Sequence, residues 1–236
     1  MRGESTKREE EHKAHLVTEF HCHTVYSRDS LTAPKKLVET CRRKHIDKVV
    51  VTDHNTIEGA LRCKELSPET VVVGEEIFTQ KGELLAAFVT KRVPPGLSPM
   101  ETVSRLREQN AFISAAHPFD RYRSGCWTEE ALLEILPYID AVEVFNSRCL
   151  LPRFNRRARD FAAVHGVLGT FGSDAHAAFE LGRGLLKVPY FNDAQSLRRA
   201  LKSAELFSAV AATPLVRLVS RRAVLWKKWT GMHDGE

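Results

Sequence analysis

The chain has 236 residues, of which 43% are apolar and 28% are charged, and its formal net charge is +5. This length and apolar content suffice for one sizeable hydrophobic core, so we expect one main domain with short tails. No apolar run approaches the roughly 18 residues that span a bilayer, and the charged N-terminus lacks the apolar segment of a signal peptide, so we expect a cytoplasmic protein without a transmembrane segment. The five cysteines form no Cys-x-x-Cys pair, and their odd number argues against a disulfide framework.

The first predicted elements are a leader and a strand. Residues 1–14 are dominated by charge and have almost no apolar periodicity, which predicts a disordered leader. An apolar run then leads to His21 and His23, and residues at i and i+2 of a strand point to the same face. Both imidazoles can therefore converge on one point, which suits a metal ion, whereas Cys22 would point to the opposite face.

Four later apolar runs end in the same way, in a potential ligand. Each run predicts a buried parallel strand, and α/β folds place their chemistry at the C-terminal ends of such strands. The motifs at these ends are Thr52-Asp53-His54, Gly74-Glu75-Glu76, His117-Pro118 and Gly172-Ser173-Asp174-Ala175-His176.

Helices are predicted between the strands from capping residues and from proline in first turns. They are expected from Pro34 to about Lys44, after a capping box at Asn55-Thr56-Ile57-Glu58, from Ser98 to about Gln109, from Thr128 to Leu136, from about Arg153 to His165 and from about Ala194 to Lys202. Lys81-Gly82 predicts the turn of a hairpin that interrupts the alternation. Strand followed by helix recurs about seven times, which favours an α/β barrel of about seven parallel strands.

A last helix is predicted from Pro214 to Trp229. Its apolar residues cluster on one side, so we expect it to pack on the body with Leu218 and Trp226 buried. Contact of this basic, aromatic helix with nucleic acid or an anionic membrane surface is the alternative. The predicted units are therefore the leader 1–14, a main domain 15–205 that carries the candidate metal ligands and the C-terminal helix 206–236.

The ordered set of motifs, from His-x-His with Asp29 to the Asp174-Ala175-His176 segment, resembles the polymerase and histidinol phosphatase (PHP) superfamily of metal-dependent phosphoesterases over roughly residues 16–190. The resemblance implies a distorted seven-stranded (β/α)7 barrel that holds two or three divalent ions. These ions would be Mn, Fe or Zn, which accept imidazole nitrogen and carboxylate oxygen as ligands. It assigns His21, His23, Glu76 and Asp174 to a first ion, Asp29, His54 and His176 to a second, and His117 with the bridging Glu76 to a third.

Some assignments stay open at this point. Glu75 competes with Glu76 for the bridging position, and the family spacing Gly-x-Glu selects Glu76. Relatives with a complete third site take another ligand from the strand Ala141 to Asn146, where this sequence offers Glu143 and Asn146. Asp53 either caps a helix or orients His54 from outside the ligand shell, and we favour the second role.

The expected activity is hydrolysis of a phosphate ester by a metal-bound hydroxide, with Glu76 and Asp174 as catalytic residues. The substrate would be a phosphorylated small molecule, a nucleotide or an oligonucleotide end, and a nucleic acid partner stays open. Arg148 and Arg183 are the candidates for binding the phosphate. Hydrolysis of an amide or carbamate, or a degenerate module that binds without chemistry, are the alternatives. The sequence does not fix the oligomeric state.

Overall fold

The computed structural model describes residues 14–213 and 215–230. The predicted leader, except Ala14, and Pro214 lie outside the described residues. The strands are β1 His15–Cys22, β2 Lys48–Val51, β3 Val71–Phe78, β4 Glu83–Ala87, β5 Phe112–Ala115, β6 Ala141–Asn146, β7 Leu168–Gly172, β8 Gly184–Pro189 and β9 Glu205–Ala209. The helices are α1 Pro34–Arg43, α2 Glu58–Leu66, α3 Pro99–Glu108, α4 Glu129–Ile135, α5 Pro152–His165, α6 Ala194–Ala200 and α7 Val216–Thr230.

The described strands form one mixed sheet in the order β7-β6-β5-β4-β3-β2-β1-β8-β9. The strands β1 to β3 are parallel, β4 is antiparallel to both β3 and β5, and β5 to β7 are parallel again. The sheet curves back on itself: Cys22, the last residue of β1, bridges Ala175 after β7, and the Asp174 amide donates to the His21 carbonyl at 2.8 Å. The predicted class, an α/β barrel-like fold, is confirmed.

The strand count differs from the predicted seven parallel strands. Six strands run in parallel around the barrel, while β4 and β8 run against their neighbours and β9 pairs antiparallel with β8. The hairpin turn predicted at Lys81-Gly82 is confirmed, and β9 was not predicted. The hairpin brings the first residue of β4 to the end of the sheet where β3 carries its candidate ligand.

Side chains cap the starts of α3, α4 and α6, while α1 and α5 begin with proline in the first turn. Ser98 caps α3 as predicted, since its side chain accepts a hydrogen bond from the Glu101 amide. The predicted capping box at Asn55 does not form, and α2 begins at Glu58 without a side-chain cap. Asn55 instead adopts a left-handed φ of 58°, and its side chain accepts a hydrogen bond from the Phe78 amide at 2.9 Å. The Asn55 side chain therefore binds the backbone of β3 instead of capping α2.

The core lies between the sheet and its helices. Leu106 of α3, Leu132 of α4 and Phe161 of α5 pack with β4 to β6 in one cluster. A second cluster beneath α1 and α2 contains Cys22 and Cys41 in reduced form. Burial raises the pKa of Cys41 to about 12 and that of Cys22 well above its usual value, so these thiols are packing groups.

Helix α7 attaches to the body, but with a different face from the predicted one. Leu218 is 50% exposed and Trp226 is 44% exposed, so the prediction that both are buried is wrong. The buried residues are Val216, Ala223 and Lys227, because the surface under α7 offers backbone carbonyls and a guanidinium in place of an apolar groove. Among the described helices, α7 included, none is long and apolar enough to cross a membrane.

Candidate metal centre

His21 in β1 and His23 just after it meet two carboxylates at the C-terminal end of the barrel. The Nε2 atoms of His21 and His23 lie 3.1 Å apart, and Oε2 of Glu76 lies 3.2 Å from the first and 3.3 Å from the second. Oδ1 of Asp174 lies 3.7 Å and 3.3 Å from the same two nitrogens. The structure thus brings together the four residues expected to hold the first ion, all of them buried.

The three residues expected to hold the second ion form an adjoining group. Oδ2 of Asp29 lies 3.0 Å from Nε2 of His176, and its Oδ1 lies 3.7 Å from Nε2 of His54. The side chains of Asp29 and His54 are 22% and 21% exposed, whereas His176 is buried. The centre is therefore open to solvent on the side of Asp29 and His54.

A third group contains a residue that the sequence reasoning missed. Nε2 of His117 lies 3.1 Å from Oε1 of Glu76 and 3.5 Å from Oε2 of Glu83, the first residue of β4. A Cβ atom on Gly125 would lie 2.0 Å from Oε2 of Glu83, so only glycine leaves room for this carboxylate. Glu83 thus enters the centre from the antiparallel hairpin strand.

Glu76 joins the three groups, and Glu75 does not. One Glu76 oxygen faces His21, His23 and Nδ1 of His54, the last at 3.0 Å, while the other faces His117. Glu75 points to the opposite strand face, where it accepts a hydrogen bond from the Val93 amide at 3.0 Å. The geometry therefore favours Glu76 for the bridging position.

A hydrogen-bonded relay from Asp53 orients two of the histidines. Asp53 accepts hydrogen bonds from the amide of Thr24 at 2.6 Å and from the hydroxyl of Ser27 at 2.7 Å. The Ser27 oxygen in turn lies 3.1 Å from Nδ1 of His23 and accepts from the His54 amide at 3.0 Å. Because Nδ1 of His23 is engaged in this way, Nε2 is left facing the centre.

Glu143 has a similar orienting role on the other side. One of its oxygens lies 2.9 Å from Nδ1 of His21, and the other accepts from the His117 amide at 2.7 Å and from the Asn146 side chain at 3.0 Å. Asn146 also donates to Asp174 at 3.1 Å. Glu143 and Asn146 of β6 thus hydrogen-bond to the candidate ligands and hold them in place.

Two of the candidate ligands have a left-handed backbone conformation. His117 has a φ of 24° and Asp174 a φ of 51°, both in the region that non-glycine residues rarely adopt. The Ser173 amide beside Asp174 donates to the buried Glu19 carboxylate at 2.8 Å, which helps to hold this turn. Strain of this kind persists only where the surroundings hold it, and it is often found at functional sites.

Glu76, His23 and His54 have strongly shifted pKa values. Burial alone would raise the pKa of Glu76, but the positive charges of His21 and His54 outweigh it and hold that pKa well below its usual value. Burial lowers the pKa of His23 to about 3, with repulsion from His176 and His54 acting the same way, so His23 stays neutral with a free lone pair. Burial opposes protonation of His54, yet Glu76 outweighs it and raises the pKa of His54 to about 10.

Bound ions would fit these residues. Oδ1 of Asp174 and Oδ1 of Asp29 are buried carboxylate oxygens that accept no hydrogen bond among the described residues, and each faces imidazole nitrogens. Three groups of side chains place one ligand atom each within 4.8 Å of one another: His23-His54-His176, His21-His23-Glu76 and His54-Glu76-Glu83. Imidazole and carboxylate in this mixture are ligands that Zn, Mn and Fe accept.

The arginines are arranged differently from the prediction. Arg148 is buried, with Nη1 2.6 Å from Nδ1 of His176, while its Nη2 donates to the Val216 carbonyl of α7 at 2.8 Å. The Arg183 guanidinium donates to the Ala211 carbonyl at 3.3 Å, and no ion pair joins it to a candidate ligand within residues 14–213 and 215–230. Arg123, in the loop after β5, forms an ion pair with Asp174.

Family models match two segments of the chain that supply most of this centre. The model described as PHP domain matches residues 19–85, and the one described as PHP-associated matches residues 152–206. MJ0417, an uncharacterized protein of Methanocaldococcus jannaschii, is 36% identical over 181 residues, which cover 75% of this chain and 72% of that protein.

Solved structures share the fold at low sequence identity. A two-domain protein of Bacteroides vulgatus containing a predicted PHP-like metal-dependent phosphoesterase aligns with a TM-score of 0.67 and 20% identity, covering 84% of this chain and 66% of that one. The lesion-specific endonuclease EndoQ of Pyrococcus furiosus aligns with a TM-score of 0.59 and 16% identity over 85% of this chain. This chain spans 60% of the endonuclease and 66% of the Bacteroides vulgatus protein, so each of those two proteins extends beyond the region that it shares with this chain. Because the matched segments carry the converging histidines and carboxylates, the chain belongs to the PHP family and has the fold of its metal-dependent phosphoesterases.

Proposed function

We propose that this protein hydrolyses a phosphate ester at a centre of two or three divalent ions, with a small phosphomonoester, a nucleotide or an oligonucleotide end as substrate. The observation that carries the proposal is the position of Glu76, whose two oxygens face different sets of histidines as a carboxylate shared between ions would. The ions would be Mn, Fe or Zn, because the ligands mix imidazole with carboxylate.

Each ion has its own set of candidate ligands on this chain, and Glu76 belongs to two of the three sets. His21, His23, Glu76 and Asp174 would hold one ion, Asp29, His54 and His176 another, and His117, Glu76 and Glu83 the third. Glu83 takes the place that the sequence left open, because Glu143 and Asn146 are occupied in orienting His21, His117 and Asp174. The third set contains two carboxylates and one imidazole, a composition closer to Mn or Fe than to a sulfur-rich Zn site.

When bound, closely spaced ions generate a nucleophile from water near neutral pH and stabilise the charge that develops on phosphoryl oxygens. The protein holds the ligands in place through Asp53, Ser27 and Glu143, so little reorganisation is needed during the reaction. Asp29 and His54 are the most exposed of the candidate ligands, so the substrate would enter there.

Arg123 is the arginine that we propose for the substrate phosphate. Its guanidinium forms an ion pair with Asp174, its Nε lies 3.5 Å from Oδ2 of Asp120, and its side chain is 18% exposed. A planar guanidinium presents paired donors that match phosphate oxygens. Arg148 would instead position His176, and Arg183 is fastened to Ala211.

The proposal is tested with protein purified without chelator and assayed against phosphomonoesters, nucleotides, oligonucleotides and amide substrates. We expect turnover of at least one phosphate ester, loss of it after chelation, and recovery on adding Mn, Fe or Zn. Arg123→Ala should raise KM for that ester while metal content stays unchanged, and Arg121→Ala, at an exposed position of the same loop, should have no effect. Turnover of amides alone, or of nothing by metal-loaded protein, would contradict the proposal.

A further inference from the structure

Helix α7 is fastened to the metal centre by polar contacts. The buried Lys227 side chain donates to the carbonyls of Val25 and Ser27, the latter at 2.7 Å. At the other end of α7, Arg148 links His176 to the Val216 carbonyl and to the Ser220 hydroxyl, each at 2.8 Å. The helix therefore lies along the loop that carries Asp29, at the open side of the centre.

The outer side of α7 is a ridge of aromatic, aliphatic and basic residues. Leu218, Arg222, Trp226 and Trp229 follow one another at intervals of four, four and three residues, which places them on one side of a helix with 3.6 residues per turn. We call these four residues the α7 ridge. Trp229 is 85% exposed and Trp226 is 44% exposed, although tryptophan normally buries most of its large surface.

The charge of α7 has one sign. The helix contains no acidic residue, and the exposed Arg221 and Lys228 flank the ridge. A partner must therefore be anionic and must also offer flat apolar surface to two indole rings. Single-stranded nucleic acid has both properties, since its bases stack on aromatic side chains while its phosphates pair with Arg and Lys.

Two other occupants fit less well. A second copy of this chain would bring Arg221 and Arg222 against their own counterparts, and like charges in contact cost affinity. A helix that enters an anionic membrane keeps its cations on the polar face and a continuous apolar surface towards the lipid. Here Arg222 stands among the exposed apolar residues Leu218, Leu225 and Trp226, so a membrane-bound α7 would carry a basic side chain into the lipid together with them.

We infer that the α7 ridge binds single-stranded nucleic acid and guides it to the metal centre, which makes an oligonucleotide the substrate class. This inference rests on the proposed function for the chemistry, but the binding itself does not depend on turnover. The strand would lie along α7, with bases on Trp226 and Trp229 and phosphates on Arg221, Arg222 and Lys228, and its end would reach the opening beside Asp29 and His54.

The test is fluorescence anisotropy of metal-loaded protein with a fluorescein-labelled 12-mer of deoxythymidine, whose integrity is checked on a gel after each titration. We expect Trp226→Ala combined with Trp229→Ala to raise Kd by about 10-fold or more, because stacking on each indole is lost. Arg221→Ala combined with Arg222→Ala should weaken binding and reduce the slope of log K against log salt by about 1 to 2.

The chain offers a matched control. Arg42 and Arg43 are also adjacent exposed arginines near a helix end, but they lie on α1 at the opposite end of the strands. Replacing both with alanine should leave Kd unchanged. Hydrolysis of a small phosphate ester should be the same in all these variants, because none of the changed residues belongs to the metal centre.

Some results would overturn the inference. These are a Kd that the two tryptophan substitutions leave unchanged, failure to bind the 12-mer, or tryptophan-dependent binding to phosphatidylglycerol vesicles or to a second copy without binding of the 12-mer. Failure of the proposed function gives a different result. Tryptophan-dependent binding of the 12-mer without hydrolysis of any ester would support the ridge and contradict the phosphoesterase.

Discussion

The two ends of the barrel hold buried charge in different ways. At the N-terminal end of β6, Asp140 accepts hydrogen bonds from Arg107 at 2.9 Å to each oxygen, from Nε of Arg198 at 2.9 Å and from the Ile113 amide at 2.9 Å. We call this group the Asp140 clasp. At the C-terminal end, Oδ1 of Asp174 accepts no hydrogen bond among the described residues and faces two imidazoles.

The difference separates stability from function. The clasp supplies a partner for each carboxylate oxygen from within the chain, and it ties α3 and α6 to the start of β6. The opposite end gathers carboxylates and imidazoles, and there Oδ1 of Asp29 and Oδ1 of Asp174 are left without a hydrogen bond among the described residues. In barrels of parallel strands, the C-terminal end carries the chemistry and the N-terminal end the stability. Substitutions at the two ends should therefore have opposite consequences.

The largest expected effect is that of Asp174→Asn on turnover. The substitution removes one negative charge and nearly preserves the shape, so kcat for the best phosphate ester should fall by about 100-fold or more. The midpoint of urea unfolding should change little. Retention of full metal and full turnover would show that Asp174 holds no ion.

The reverse pattern is expected for Asp140→Ala. Breaking a buried ion pair costs about 3–5 kcal/mol, and because Arg107 and Arg198 are 34% and 30% exposed, we expect a loss of about 2–3 kcal/mol of unfolding free energy in urea titrations. Metal content per folded chain should not change. Glu101→Ala, which removes an exposed ion pair to Arg105, is the control and should cost under about 0.5 kcal/mol.

Lowering the pH should affect the two ends of the barrel at different pH values. Burial would raise the pKa of Asp140, but the hydrogen bonds from Arg107 and Arg198 outweigh it and lower that pKa below its usual value. The stability of the clasp is therefore fully present above the pKa of an unfolded aspartate, about 3.9, and is lost as the pH falls through the lower folded value.

Comparison of wild type with Asp140→Asn in urea should show a constant difference from pH 7 to pH 5 that shrinks below about pH 4. Bound ions require neutral imidazoles, whose ordinary pKa is about 6.5. On acidification, metal content should therefore fall at a higher pH than the pH at which the stabilisation by the Asp140 clasp is lost. A difference in stability that shrinks already between pH 7 and pH 5 would contradict this account of the clasp.

The smallest effect is expected for Glu83→Gln. If Glu83 holds only the third ion, the variant should lose about one ion per chain and keep the others, as measured by metal analysis after gel filtration. Glu75→Gln, at the neighbouring buried carboxylate outside the centre, is the control and should lose none. Unchanged metal content in Glu83→Gln would remove Glu83 from the ligands.

Much of the fold and the centre could be predicted because ligands sit at the ends of parallel strands. Apolar runs that end in His, Glu or Asp located five such ends, and the structure brings all eight predicted ligands into three adjoining groups. Glu83 was missed because β4 is antiparallel and presents its first residue at that end of the sheet. The predicted hairpin turn at Lys81-Gly82 was the signal that could have found it.

Other features had no clear signal in the sequence. Arg123 is one of several loop arginines, and only the folded loop brings it to Asp174. Apolar periodicity on α7 identified a face, but it did not tell which side meets the body, because Lys227 and Arg148 make polar contacts there. The strand β9 was not predicted, because its five residues show no alternation of buried and exposed positions.

The central claim is that Glu76 is shared between ions. It is tested most directly by metal analysis of wild type and Glu76→Gln, purified in parallel without chelator and checked for the same fold by circular dichroism. The account predicts about two or three ions per chain in the wild type and fewer than about one in Glu76→Gln, since each candidate ion loses a ligand or its charge balance. Wild-type protein without metal, or a Glu76→Gln variant with the full wild-type metal content, would contradict it.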